Sequence, residues 1–228
     1  MNKENFTLNF GLDKFFDSIV YHHRKNMYNS IFPDSDATIN RDILDIGSTS
    51  DTGKSSNAFL YFFPKSKIIS ISDQVIKNET KLKFPNVDFV LGDGLSLNYP
   101  SNKFDLVFSN AVLEHVGKYE NVKKFILEAY RVSREDVILI TPNRWFPLET
   151  HTKIVLLHWL PKQVFRKFIR LLGMDFFSKE ENLNLLSCRD LKKILASTGI
   201  QGYKIQNLRF MGLKSNIVVR LRKEESLR

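Results

Sequence analysis

The chain has 228 residues, 43% of them apolar and 26% charged, with a formal net charge of +9. That is room for one α/β domain with a full core, or one domain with an added lobe, and the composition is globular rather than disordered or fibrous. Its one cysteine, Cys188, excludes an intramolecular disulfide, fits a reducing cytosol and reads as a small buried hydrophobe. The opening MNKENFTLNF lacks the apolar core of a signal peptide, and the longest apolar run, IVLLHWL, falls short of the ~20 residues of a membrane span. The expectation is therefore a cytoplasmic protein. The positive charge favours an anionic partner, whether nucleic acid, acidic lipid or phosphorylated substrate, without choosing among them.

In chain order, Phe10 to Ser30 reads as a leading helix, with Phe15, Phe16, Ile19 and Val20 apolar, so residues 1–40 form an N-terminal helical segment and 41–228 the main domain. Short apolar strands then alternate with helical patterns, the signature of a parallel sheet covered on both faces. Strands are predicted over Asp42–Ile46, Lys67–Ser72, Val87–Leu91, Phe104–Phe108 and Asp136–Thr141, with helices near Ser56–Phe63, Val75–Phe84 and Tyr119–Val132. Asn143 to Leu186 is long for a connection and reads as an inserted lid or substrate element. A helix over Arg189–Ser197 follows, with Ser187 as N-cap and Gly199 as its stop, before two strands at Tyr203–Leu208 and Asn216–Leu221. The fold class is thus α/β, Rossmann-like and doubly wound, with seven strands, an antiparallel last strand and a helical lid after strand five. No internal repeat is visible.

The stretch RDILDIGSTSDTGKSSN ends like a phosphate-binding P-loop, but five residues separate Gly47 from Gly53, one too many for G-x-x-x-x-G-K-[ST]. Asp45 would also set a negative charge beside the phosphates, and FDLVFSN carries its aspartate at the start of a strand rather than at the end, where magnesium would need it. What remains is an acidic residue and a glycine at the carboxyl end of a first strand, where such sheets bind ligands. A second strand ending in Asp73 offers a carboxylate able to accept both hydroxyls of a ribose.

Downstream, ILDIGS, ISISD, GDGLSL, FDLVFSNAVLEHV and ILITPNRWFP follow in order from Ile43 to Pro147. On these segments the sequence resembles the class I S-adenosylmethionine-dependent methyltransferases, in the branch called methyltransferase type 11. The resemblance implies S-adenosyl-L-methionine as cofactor. It places Asp45, Gly47 and Thr49 at the methionine portion, Asp73 at the ribose, Asp93 with Gly94 and Leu95 at the adenine edge, and Ser109 and Asn110 near the sulfonium. One departure stands out: the glycines the family carries at alternate positions are replaced after Gly47 by a longer polar loop containing Thr49 and Asp51.

Methyl transfer is an in-line displacement that chiefly needs positioning, with a general base where the acceptor is a hydroxyl. His151, just beyond strand five, and His115, in LEHV, are the candidate bases, and His22, His23 and His158 receive no role. Asn143, Arg144, Trp145 and Glu149 are candidate substrate contacts, offering a donor fork, a flat aromatic face and a carboxylate. Glu114 and His115 match part of the E-x-x-E-H pattern of metal-dependent RNA 3′-end methyltransferases, but Ala111 replaces the first glutamate. Two ligands do not make a magnesium site, so no metal is expected.

LPKQVFRKFIRLLG places Val164, Phe165, Phe168, Ile169, Leu171 and Leu172 on one arc and Lys162, Arg166, Lys167 and Arg170 on the other. Such a basic amphipathic helix either covers the active site or lies on an anionic membrane through residues 161–172. The resulting expectation is O-methylation of a small-molecule or lipid-linked acceptor, with polysaccharide biosynthesis as the setting the resemblance implies. The alternatives are an RNA methyltransferase, which the charge supports but no aromatic-basic module does, and a non-catalytic protein of the same fold that binds a partner. An NAD-dependent dehydrogenase would need G-x-G-x-x-G, which is missing.

Overall fold

The structure, a computed structural model, describes residues 13–33 and 40–223, with side chains from residue 18 onward. Phe10, the expected start of the leading helix, lies outside the described residues, and the apolar positions Phe15 and Phe16 lie outside the described side chains. Seven strands form one sheet: β1 (Ile43–Ile46), β2 (Ile68–Ser72), β3 (Val87–Leu91), β4 (Phe104–Asn110), β5 (Ser133–Pro142), β6 (Tyr203–Phe210) and β7 (Leu213–Arg222). Their order is β3-β2-β1-β4-β5-β7-β6. β1 to β5 pair in parallel, and β7 runs antiparallel to both β5 and β6. The sequence-derived fold class is the observed one.

All four residues of β1 are buried, as in a central parallel strand covered on both faces. One face packs α4 (Tyr119–Val132) and α7 (Cys188–Thr198) through Phe125, Ile126, Leu191 and Ile194. In α4 the residues Val122, Phe125, Ile126, Ala129 and Val132 are buried, the spacing that gives a helix one apolar stripe. The other face carries α1 (Asp13–Ile31) and α2 (Ala58–Phe62), whose Met27, Tyr28 and Phe59 pack with Phe108 of β4. The short α3 (Asn78–Lys83) leads towards the β3 edge. Ser187 opens α7 with a capping box that includes Asp190, and Gly199 closes it in the left-handed region at φ 73°.

The excursion after β5 closes on itself: Asn143 bridges Leu186, and the Arg144 N–H donates to the Leu186 carbonyl at 2.9 Å. Within it, α5 (Lys162–Leu171) and α6 (Asp175–Ser178) gather a small separate core of Phe165, Ile169, Leu183 and Leu185. The apolar arc read from the sequence is therefore divided. Phe165 and Ile169 face inward, whereas Val164, Phe168, Leu171 and Leu172 are 39%, 46%, 83% and 56% exposed. The basic arc is divided too. Lys162 donates to Asn184, and Arg166 and Arg170 pair with Glu180 and Asp175.

Candidate active site

The carboxyl ends of the central strands open onto a pocket of about 410 Å³, a size suited to a cofactor. Its walls include Gly47 and Ser48 after β1, Asp73 after β2, Asp93 after β3, and Val112 and His115 after β4. Gly47 sits at φ 113°, and a Cβ there would lie 2.2 Å from Val112 Cγ2. Only glycine fits, for both conformation and space.

The polar loop after Gly47 is held by side-chain hydrogen bonds rather than by glycines at alternate positions. Asn57 clamps it, its Oδ1 accepting from the Thr49 N–H at 3.1 Å while its Nδ2 donates to the carbonyls of Thr49 and Asp51. Asp51 in turn accepts from the Gly53 N–H and the Ser56 hydroxyl. Side-chain hydrogen bonds here replace the conformational freedom that glycines would supply. Thr49 is thus held through its backbone at the pocket wall. The sequence reading missed both Asn57 and Ser48. Ser48 lines the pocket with its buried Oγ lacking a hydrogen-bond partner, and its position directly after Gly47 was the available signal.

Asp73 and Asp93 both present exposed carboxyl groups at the pocket, with Gly94 and Leu95 beside Asp93. Asp93 Oδ1 accepts from the Leu95 N–H at 2.8 Å, so the side chain also caps its own turn. Three other expected cofactor residues lie off this pocket. Asp45 is buried and accepts from the Ser70 hydroxyl at 2.7 Å. Burial pushes its carboxyl up to about 7, against the lowering effect of the Ser70 hydrogen bond. Asp45 and Asn110 face a small cavity on the α1 side, where Asn110 Nδ2 donates to Tyr28 Oη at 3.1 Å. Ser109 is buried and donates to the Ile46 carbonyl at 2.8 Å, tying β4 to β1.

The two candidate bases meet across 36 residues of sequence: His115 Nε2 lies 2.9 Å from His151 Nε2. His115 Nδ1 is 2.7 Å from the Asn182 carbonyl, and His151 Nδ1 is 2.8 Å from Glu149 Oε1. Both of those partners only accept, so each Nδ1 carries a proton, and the Nε2 pair shares one more. Burial disfavours the charge on His151, but the Glu149 hydrogen bond and the charges of Glu114 and Glu149 outweigh it and raise its pKa. Glu149, opposed by its own burial, is held down to about 2 by hydrogen bonds from His151 and Thr152. Glu114, fully buried, accepts from the Thr141 hydroxyl through Oε2, while its Oε1 has no hydrogen-bond partner and lies 3.9 Å from His151 Nε2. Glu114, His115 and His151 thus form a cluster of three possible metal ligands, where counting along the sequence had found two.

Of the expected substrate contacts, Glu149 is buried, with its oxygens taken by the N–H groups and side chains of His151 and Thr152. Its visible work is to orient His151. Asn143 is also buried, accepting from the Trp145 N–H and donating to the Lys214 carbonyl, an anchor for the start of the excursion. Arg144 donates to the Leu160 carbonyl and lies over the ring of Trp145, which is 52% exposed. A small cavity against α5 takes Arg144, and the main pocket takes none of these four side chains.

Residues 44–141 match the family model described as a methyltransferase domain. The fold is shared with solved structures of low identity. YcgJ of Bacillus subtilis is 14% identical, with 90% of this chain and all of that one covered at a TM-score of 0.58. Magnesium protoporphyrin IX methyltransferase of Synechocystis PCC 6803, solved with S-adenosylhomocysteine, is 15% identical over 96% of this chain and 89% of its own (TM-score 0.56). The 1,6-didemethyltoxoflavin-N1-methyltransferase of Burkholderia thailandensis is 12% identical over 94% and 83% (TM-score 0.55). A search of curated proteins returned no match. The family match over residues 44–141 and the shared fold point to S-adenosylmethionine as the cofactor. The residues present suit that cofactor: the buried Ser48 hydroxyl wants a partner, and Asp73 and Asp93 offer acceptors on the facing edge of the same pocket.

Proposed function

We propose that the chain methylates an oxygen of a small-molecule or lipid-linked acceptor, of the saccharide class, at the cytoplasmic face of a membrane. The observation that carries the reading is one pocket lined by Asp73, Asp93 and His115, with His115 hydrogen-bonded to His151 behind it. Bound S-adenosylmethionine supplies an electrophilic methyl group. Asp73 accepts from the ribose hydroxyls, and Asp93, with the backbone of Gly94 and Leu95, borders the adenine. Gly47, Ser48 and Thr49 shape the wall for the amino-acid end, with Asp45 acting from beneath the loop. Ser109 fixes the strand ends that frame the site, and Asn110 does so through Tyr28. On the acceptor side, His115 and His151 take the proton of an acceptor hydroxyl once their Nε2 atoms part and one is freed, and Glu149 holds His151 in place.

A saccharide acceptor would contact Trp145 and Arg144, whose face and fork suit a sugar, while Asn143 anchors their turn. The exposed apolar residues of α5 support peripheral contact with an anionic membrane surface; no described helix is long and apolar enough to cross one. Nucleic acid is the less favoured acceptor, because the positive charge is accompanied by no aromatic-basic array.

Calorimetric titration with S-adenosylmethionine, S-adenosylhomocysteine and NAD tests the cofactor site. The first two should bind and NAD should not. Methyl transfer should then be found to lipid-linked or free saccharides and not to RNA. Transfer to RNA alone would overturn the acceptor assignment. Failure of either methionine-derived ligand to bind would leave a partner-binding protein of this fold.

A further inference from the structure

Three donors, two imidazoles and a carboxylate, converge at the junction of the pocket and the inserted segment. Glu114 Oε1, His115 Nε2 and His151 Nε2 each offer one ligand atom, and these atoms lie within 4.8 Å of one another. Ligands about 2.0–2.1 Å from a zinc-like ion stand roughly 3–3.5 Å apart. The observed His–His separation of 2.9 Å and the His151–Glu114 separation of 3.9 Å bracket that spacing.

The surroundings of each donor point to the same occupant. His115 spends its Nδ1–H on the Asn182 carbonyl, and His151 spends its own on the Glu149 carboxylate. Both rings are thereby fixed with Nε2 aimed inward, the outer arrangement that metal-bound histidines display. Glu114 is anchored by the Thr141 hydroxyl through one oxygen, while the other is fully buried without a hydrogen bond. A buried acceptor left unpaired is costly, more so when charged, and a cation would satisfy it. As arranged, neither histidine keeps a vacant nitrogen for an acceptor, because their Nε2 atoms face each other.

We infer that Glu114, His115 and His151 form a site for a divalent first-row transition cation of the zinc type. Two imidazoles and one carboxylate favour such an ion over magnesium, which prefers oxygen ligands. Three protein ligands leave at least one coordination position open. Since His115 lines the cofactor pocket, that position is suited to an acceptor oxygen. This acceptor role rests on the function proposed above; occupation of the site by metal does not. The cation and the shared proton compete for the same Nε2 lone pairs.

The test uses the full chain freed of metal by a chelator and titrated with Zn²⁺ and with Co²⁺, S-adenosylhomocysteine binding being measured in parallel by calorimetry. One equivalent of either metal should bind. His151→Gln and Glu114→Gln should each weaken it at least tenfold, whereas His22→Ala, which removes an exposed histidine on α1, should not. In the wild-type Co²⁺ form, proton NMR should show two strongly shifted exchangeable signals, the Nδ1–H of each ligating histidine. That reading holds even where a substituted chain fails to fold. Absence of both signals, or a stoichiometric site lost in His22→Ala and kept in His151→Gln, would overturn the assignment. Metal binding without S-adenosylhomocysteine binding would keep this site and sink the methyltransferase reading instead.

Discussion

At the scale of single residues, the pocket depends on a few side chains with no substitute. Gly47→Ala would drive a Cβ to within 2.2 Å of Val112 in a backbone region that alanine disfavours. It should cost about 1–3 kcal/mol of stability in denaturant unfolding and weaken S-adenosylhomocysteine binding. Asp73→Ala and Asp93→Ala should each weaken that ligand about tenfold by calorimetry, the loss of one hydrogen-bond acceptor, with the unfolding midpoint nearly unchanged for the exposed Asp73. Asp45 has a pH signature. Folded, it keeps its proton up to about pH 7, whereas an unfolded chain releases it near pH ~4. Its contribution to stability is therefore complete below pH ~4 and declines, by on the order of a few kcal/mol, as the pH rises towards 7. Among the described residues its carboxyl accepts from the Ser70 hydroxyl, and its charge acts on Tyr28. Urea unfolding of the wild type and of Asp45→Asn between pH 5 and pH 8 should show the slope in the first and its loss in the second.

At the scale of elements, α7 and α5 make opposite demands. The capping box of α7 is internal to the fold, so Ser187→Ala should lower stability by ~1 kcal/mol without touching the pocket. In α5, Leu171 is 83% exposed and Phe168 46%, beside residues committed to the small core of the insertion. Leu171→Glu should leave the unfolding midpoint unchanged and abolish sedimentation with phosphatidylserine-containing vesicles. Unaltered sedimentation would remove α5 as the contact. Helical spacing identified the apolar arc of α5, but the division into inward Phe165 and Ile169 and outward Phe168 and Leu171 depends on Leu183 and Leu185 folding back, which no local pattern encodes.

At the scale of the whole molecule, the sheet binds its distant parts together at the edge opposite the pocket. Buried Asp136 of β5 receives two hydrogen bonds from Arg220 of β7, with Arg222 and Arg41 within 3.7 Å. Asp136→Ala would take the buried acceptor from Arg220, while Arg222 stays largely exposed and Arg41 keeps Glu135, and should cost about 1–3 kcal/mol in unfolding, leaving cofactor affinity intact.

The order of strands and helices, the capped α7, Gly47 at the first turn and the acidic residues Asp73 and Asp93 at successive strand ends were all determined by the sequence, because they are written in periodicity and in spacing from the nearest turn. Tertiary structure alone decided which face of a two-sided sheet each strand-end residue takes. A change of one position swaps faces, so Asp45 turns to the α1 side, where Ile43 also packs, while its neighbours Leu44 and Ile46 join the core on the α4 side. It also decided that Glu114, His115, Glu149, His151 and the Asn182 carbonyl form one cluster. Those groups come from the turn after β4 and from both ends of a long insertion, and only the folding back of that insertion brings them within bonding distance.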